Sequence, residues 1–418
     1  FARGAGAMAC SECVKELARS PRECLPLLLI VPTYRGHFGP AAHLLRSLLS
    51  FAIDPQSASL RFVVSDQFEF IDWTRTLSDH FVSNARCCVQ RTAFDVGVVT
   101  LSTVTQPWNV SVVPLTFRPS ARQQYTAPPS GNKFLYQFTK KLYAARFFSY
   151  EFGLLLDADS DVVRCFSFQA LFNSFFQDRT VYASQPTTRS YCNAILPAPS
   201  PSRGLSSQGH GPDGWPVPLG HNYYGWFVES ATIADLFAHV ESASRDSLYA
   251  AASAAFARQR CFEYATYQQF ALFSPGRSRY RAVSWVDAIR SALPATLLSR
   301  FGSPSADYYL DWLPRLNATD AELAIDGIAR LALEQRLALF RLPNRIAEHS
   351  APSAQRAAFF DRLARLLERV PMLALAFGSG ALPVLNVSLC ATCSRGSCAR
   401  QDVYSARKRS GEPASRRA

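Results

Sequence analysis

Three aspartates at alternate positions, Asp157, Asp159 and Asp161, follow the apolar run Gly153-Leu-Leu-Leu156. Side chains of a strand alternate between faces, so a strand carried on through them would turn all three carboxylates to one side. Gathering negative charges at the end of a buried strand demands a neutralising cation. Hard oxygen donors in that setting suit Mn²⁺ or Mg²⁺, a metal shared with phosphate groups. Asp161 fits equally well as a cap on the turn that follows. A calcium loop of the EF-hand type starting at Asp157 needs Gly at its sixth position and Glu at its twelfth; Val162 and Phe168 stand there instead.

The elements that must position these acids are legible around them. Leu27–Val31 reads as a buried strand closed by Pro32-Thr-Tyr-Arg35, and Pro40–Phe51 as a helix with Ala41, Leu44, Leu45, Leu48 and Leu49 at helical spacing. Arg61–Asp66 reads as a second strand ending on an acid. Strand, helix, strand at this spacing is a βαβ unit of a parallel sheet. Ligands of such sheets sit at the carboxyl ends of the strands, which puts Thr33, Tyr34, Arg35 and Asp66 on one rim with Asp157. A third strand is expected at Val110–Phe117. Lys133–Glu151 reads as an amphipathic helix, with Leu135, Phe138, Leu142 and Ala145 inward and Lys133, Gln137, Lys140 and Lys141 on the polar side. Strands at Thr180–Gln185 and Tyr280–Val286 and an aromatic strand or turn at His221–Glu229 follow, with helices at Ser230–Ser242 and from Arg260 to Phe270. From about Pro294 the texture turns to Ala, Leu and Arg. Thr319-Asp-Ala-Glu322 reads as a capping box, and Ala321–Leu342 and Ala354–Leu373 as helices. The expected organisation is a Cys-bearing arm at 1–24, an α/β domain at 25–292, a helical C-terminal extension at 293–399 and a basic disordered tail at 400–418. Gly4-Ala-Gly6-Ala-Met-Ala9 matches a dinucleotide fingerprint only as a pattern, since no strand precedes it.

Composition narrows the class. A chain of 418 residues with 48% hydrophobic and 12% aromatic content is a folded protein large enough for one big domain with appendages, or for two. The net charge of +12 is dispersed. The segment from Arg400 to Ala418 holds six basic and two acidic residues, so +4 of it lies in a tail. Without a basic-aromatic stripe this charge argues against a nucleic-acid partner. Leu25–Val31 is too short to span a membrane, and Pro371–Val387 is interrupted by Gly378, Gly380 and Pro383. The chain begins at Phe1, which leaves room for a leader or membrane anchor ahead of it. Eleven cysteines include Cys10-x-x-Cys13 with Cys24 and Cys390-x-x-Cys393 with Cys398. Disulfides closing the termini and a four-thiolate zinc site are both compatible with that spacing. Sequons at Asn109, Asn317 and Asn386 lean toward the lumen of the secretory pathway, Golgi or endoplasmic reticulum.

The order of strand, helix, Asp-tipped strand, Lys-bearing helix and Leu-Leu-Leu-Asp157-Ala-Asp159 resembles the GT-A type of nucleotide-sugar-dependent glycosyltransferase, over about Leu27 to Arg290. The resemblance implies a Rossmann-like, mostly parallel sheet with helices on both faces, a divalent metal, and a UDP- or GDP-sugar donor. It implies that Asp157 and Asp159 hold the metal and the donor's ribose or diphosphate, with Asp161 as a third metal candidate. Pro32, Thr33 and Asp66 would border the nucleoside, and Lys140 or Lys141 would approach the diphosphate. Glu263, in Phe-Glu-Tyr-x-x-Tyr, would face the hydroxyl of a glycan, protein or lipid acceptor as general base, with Glu229 as second choice. Tyr224 and Trp226 would be platforms for an acceptor sugar. His221 or His349 would supply a further metal ligand. Each assignment has a plainer counterpart: helix-start carboxylate for Glu263, core aromatics for Tyr224 and Trp226, a solvated helix face for the lysines, surface positions for His221 and His349. Two other functions suit the same acids. One is a haloacid-dehalogenase-like phosphatase with an Asp-x-Asp motif, which usually lies on the first strand. The other is a glycosyltransferase-shaped protein that binds sugar or a partner without turnover.

Overall fold

The computed structural model describes residues 27–52, 54–83, 95–112, 133–162, 166–169, 180–184, 195–196, 217–218, 226–256, 263–273, 281–284, 291–297, 316–334, 339–342, 361–362, 365–366, 369 and 374–378. Every cysteine, Asn386, His221, Tyr224, His349 and the expected arm and tail lie outside them. In chain order the elements are β1 (Leu27–Pro32), α1 (Phe38–Phe51), β2 (Ala58–Val64), α2 (Gln67–Ser83), β3 (Asp95–Thr100), α3 (Leu101–Thr105), α4 (Lys133–Phe147), β4 (Phe152–Leu155) and β5 (Ser160–Val162). Then come β6 (Thr180–Ser184), β7 (Val217–Pro218), β8 (Trp226–Glu229), α5 (Ser230–Ser244), α6 (Leu248–Phe256), α7 (Glu263–Phe273), β9 (Arg281–Ser284), α8 (Ala318–Glu334), β10 (Leu339–Leu342) and β11 (Ala374–Gly378).

The main sheet has five strands in the order β3-β2-β1-β4-β8. The first four run parallel and β8 runs antiparallel to β4. This is a Rossmann-like sheet, and its order reverses between β1 and β4. Every side chain of β1 is buried, as a strand covered on both faces requires. Leu27, Leu29 and Val31 meet Leu44, Leu45 and Leu48 of α1 and Trp73 and Leu77 of α2. Leu28 and Ile30 face the opposite core, built by Leu135, Phe138 and Leu142 of α4 with Ile233, Leu236, Tyr267 and Phe270. Each of these buried leucines contributes about 2 kcal/mol. Gly153 fits where β4 lies between its neighbours, because a Cβ there would stand only 3.1 Å from Leu28 O, the Tyr150 ring and Val228, tighter than an ordinary contact.

Three expectations from the sequence are corrected. The third strand is Asp95–Thr100, not Val110–Phe117; Val110 to Val112 are coil and 113–117 fall outside the described residues. The Thr100 hydroxyl accepts from Thr103 N at 3.2 Å, which ends the strand and starts α3. Helix α4 is not amphipathic across Lys140 and Lys141, which are 3% and 0% exposed. It is sandwiched between β1 and β2 on one side and α3, α5, α6 and α7 on the others. The C-terminal region is not purely helical. Helix α8 is present, capped by Asn317, whose Oδ1 accepts from Asp320 N at 2.8 Å, rather than by the Thr319–Glu322 box. Leu339–Leu342, expected as helix, is strand β10, parallel to β11, and β11 pairs antiparallel with β5. Backbone pairing overrides helix propensity there. It also lays a C-terminal strand against the segment that follows Asp159.

Candidate functional site at the carboxyl rim of the sheet

The parallel strands β1, β2, β3 and β4 all end on one rim, and β1 and β4 flank the point where strand order reverses. Such a switch point leaves a crevice, because neighbouring connections leave the sheet on opposite faces. Thr33 follows β1 and donates from its backbone to Val63 O at 2.9 Å. Ser65 and Asp66 follow β2. On the other side of the switch point, β4 stops at Leu155, and Ser160 N donates to Asp157 O at 3.0 Å in a turn across Asp157 to Ser160. The strand therefore does not continue through the three acids. Asp157 and Asp159 lie on the turn, partly exposed, while the backbone of Asp161 belongs to β5 of another sheet, opposite Phe377.

Helix α4 reaches this rim with its first half. Asp157 Oδ1 accepts from Gln137 Nε2 at 2.9 Å and from Lys141 Nζ at 2.7 Å. The same Lys141 ammonium, fully buried, is bonded to Glu263 at the first turn of α7. One cation thus ties two carboxylates that lie 106 positions apart in the sequence, on different elements. Lys141 is an internal clamp on Asp157, not an arm reaching toward solvent. Glu263 stands at the rim, as expected, with its carboxylate turned to Lys141.

A second polar knot holds the ends of β1 and β2. Lys140 Nζ donates to Thr33 O at 2.6 Å and to Ser65 Oγ at 3.0 Å. Glu69, 7% exposed, accepts from Arg35 N at 2.9 Å and from Ser65 N at 2.8 Å. Asp66 caps α2 by accepting from Glu69 N at 2.9 Å. Burial pulls the Lys140 pKa down to about 8, against the upward pull of Glu69 and Asp66. The Tyr34 hydroxyl is pushed up to about 12 by burial first, then by Asp159 and Glu69, which places Asp159 within electrostatic reach of Tyr34 across the crevice.

Beyond β2 a cavity of about 510 Å³ opens, walled by Ser65, Asp66, Ser102, Thr105, Asn109 and Tyr136, among others. Its walls are mostly neutral hydroxyl, amide and aromatic groups. Cavity, Thr33 and the Asp157–Asp159 turn follow one another across the rim in strand order. At about 4.8 Å per strand, β2 and β4 are roughly 10 Å apart.

The other predicted residues fall as follows. Pro32 closes β1, buried, and without an N–H it adds no donor of its own to the ladder. Trp226 opens β8 with its backbone opposite Leu155, at the same rim. Glu229 does not join the site. It pairs with Phe152 at the other end of β4, roughly 16 Å from Asp157 along the strand. Its carboxylate accepts from the Thr232 hydroxyl at 3.1 Å at the start of α5. Gln137, Glu69 and Ser65 were not read as site residues. Asp66-x-x-Glu69 is a capping-box spacing and carried a usable signal for Glu69; nothing local distinguishes Gln137.

Among the described residues no three Asp, Glu, His or Cys side chains gather to hold a metal. Asp157 and Asp159, hard donors two positions apart on one turn, do fit the manner in which Mg²⁺ or Mn²⁺ is bound through one or two carboxylates and substrate phosphates.

The chain is an α/β protein with a Rossmann-like, mostly parallel sheet whose switch-point rim carries this acidic turn. No family model matches it, and no curated protein does. Among solved structures it is similar to mouse xyloside xylosyltransferase 1 in its apo form, at 10% identity over 63% of this chain and 86% of that one, with a TM-score of 0.31. It is similar also to residues 1–349 of S. aureus TarS, at 12% identity over 83% and 81% of the two chains, with a TM-score of 0.29. Likeness at that level carries no argument of its own; the strand order and the rim residues do.

Proposed function

We propose that this protein is a glycosyltransferase of the GT-A kind, moving a sugar from a nucleoside-diphosphate donor to an acceptor hydroxyl. The observation that supports it is the order across one rim: a neutral polar cavity beyond β2, the β1 end at Thr33, then the Asp157–Asp159 turn at β4. A nucleoside in the cavity would project its diphosphate over Thr33 toward the two aspartates. Asp157 and Asp159 would hold Mn²⁺ or Mg²⁺, which supplies stabilisation of the charge on the departing diphosphate. Lys141 and Gln137 orient the Asp157 carboxylate from beneath, and burial of Lys141 keeps that orientation fixed. Glu263, buried at the first turn of α7, anchors Lys141. The acceptor is a glycan, protein or lipid hydroxyl. The sequons favour the secretory lumen.

The test is a donor screen. The protein is incubated with Mn²⁺ and each common nucleotide sugar, and nucleoside diphosphate release is measured. Release with at least one donor, abolished by a chelator, is expected. Activity indifferent to chelation would overturn the metal assignment, and phosphomonoester hydrolysis without donor turnover would favour the phosphatase instead.

A further inference from the structure

We propose that the backbone of the C-terminal strand β11 holds the far side of the acidic turn, so that Asp159 keeps its place beside Asp157 only while β11 is paired with β5. This rests on the metal reading above. The main sheet supports the turn from one side. Pairing of β4 with β1 reaches Leu155 opposite Ile30, and Leu156 N donates to Ile30 O at 2.9 Å. Lys141 and Gln137 then fix the Asp157 carboxylate. Asp159 lies past both supports. The chain after it enters a sheet as β5, and among the described residues β11 is the strand with which β5 pairs. The second support of the turn therefore comes from the opposite end of the chain.

The register shows where the two strands are bonded. Positions along an antiparallel ladder alternate between pairs that exchange both backbone bonds and pairs that exchange none. Ser160 N donates to Asp157 O at 3.0 Å, and Val162 N to Ser47 Oγ at 3.0 Å. Neither N–H is left for Gly378 or Ala376, so the bonded pair is the middle one, Asp161 with Phe377. The backbone two residues beyond Asp159 thus hangs on Phe377, and the next residue on Ser47 of α1. Strand β11 is positioned in turn. Arg365 and Arg369, a few residues ahead of it, are ion-paired to Glu322 of α8, and Arg369 also to Asp326. Helix α8 is seated on the segment after β9, where Arg330 donates to Ala292 O at 2.8 Å. Gly327 permits that approach, since a Cβ there would overlap Ala292 O. A loop held at both ends has a defined shape, whereas one released at Asp161 regains backbone freedom that cation binding must remove again.

The test uses the full chain with Mn²⁺ and either UDP or GDP. Free Mn²⁺ is counted by electron paramagnetic resonance, and backbone hydrogen exchange is followed by mass spectrometry. By linkage, whatever β11 pairing does for the cation, the cation does for β11 pairing. Adding Mn²⁺ and the diphosphate to the wild type should therefore slow exchange about tenfold at residues 374–378 as well as at 157–162. Phe377→Pro removes the donor to Asp161 O and leaves every carboxylate of the turn in place. It should raise the Mn²⁺ dissociation constant about tenfold, with folding checked by circular dichroism. Phe377→Ala keeps the N–H and should bind as the wild type does. Slowed exchange at 157–162 with none at 374–378, or undiminished Mn²⁺ affinity in folded Phe377→Pro, overturns the role of β11 and leaves the metal reading standing. Should Phe377→Pro fail to fold, the wild-type exchange decides. A wild type that takes up no Mn²⁺ with either diphosphate overturns both.

Discussion

Replacing Lys140 by methionine should stabilise the protein near neutral pH and destabilise it in alkali. In the folded chain burial brings the Lys140 pKa from 10.5 to about 8. At roughly 1.4 kcal/mol per pH unit, holding the ammonium in place near pH 7 costs about 3 kcal/mol relative to a solvated lysine. Methionine has a similar length and no charge. It leaves Thr33 O and Ser65 Oγ each short of one donor, about 1 kcal/mol apiece. The balance near pH 7 is a gain of about 1 kcal/mol for Lys140→Met. The sign reverses with pH. Between about 8 and 10.5 the unfolded chain holds the Lys140 proton and the folded chain does not, so wild-type stability rises with pH through that window. The rise is about 3 kcal/mol in all and is absent from the variant, which ends about 2 kcal/mol less stable than wild type. The assay is urea unfolding followed by tryptophan fluorescence at several pH values, with the other titrating groups cancelling in the difference between the two proteins. A variant less stable than wild type by the same margin at both ends of the range would refute the reasoning, because Lys140 would then be an ordinary solvated or fully paired cation.

Asp159→Ala should lower nucleoside diphosphate release about a thousandfold while leaving the unfolding midpoint unchanged, since the side chain is partly exposed on a turn. Lys141→Met should cost about 3–5 kcal/mol in urea unfolding, because it strips the shared ammonium from Asp157 and Glu263; Glu263→Gln in the same chain should recover part of the loss. Glu229→Gln should keep turnover within about twofold and cost about 1 kcal/mol of stability, its place being the far end of β4. Gly153→Val should cost about 2–3 kcal/mol by thermal unfolding, since its new atoms would press on Leu28 O, the Tyr150 ring and Val228.

The parts of the fold that the chain states locally are those with a period. Leu27–Val31 is continuous and apolar because β1 is covered on both faces, and the Pro40–Phe51 stripe is the face of α1 that covers one of them. The acid-tipped end of β4 was legible because Gly153-Leu-Leu-Leu156 can only be interior and Asp157 can only be at its edge. Where local pattern and tertiary surroundings part, the reading failed for identifiable reasons. Lys140 and Lys141 read as a wet helix face because charge usually seeks water. Neighbouring helices cover that face, and the two ammoniums are satisfied by groups that follow three different strands and open a late helix. Leu339–Leu342 read as helix because leucine favours helices in isolation, but a strand-forming partner at Ala374–Gly378 claims its backbone.

Sequence alone, then, determined that an α/β sheet carries carboxylates at the carboxyl end of a buried strand, because burial and periodicity are properties of a few adjacent residues; that Asp157 and Asp159 lie on a turn is the structure's. It also placed Thr33, Asp66 and Glu263 within the right end of their elements. Only the tertiary structure decided that Glu229 sits at the opposite edge, that one buried lysine clamps Asp157 to Glu263, and that its neighbour ties the ends of β1 and β2 through Thr33 O and Ser65 Oγ over the Tyr136 ring. Those are relations between groups far apart in the chain, and their energies depend on what excludes water around them, which no local pattern of residues encodes.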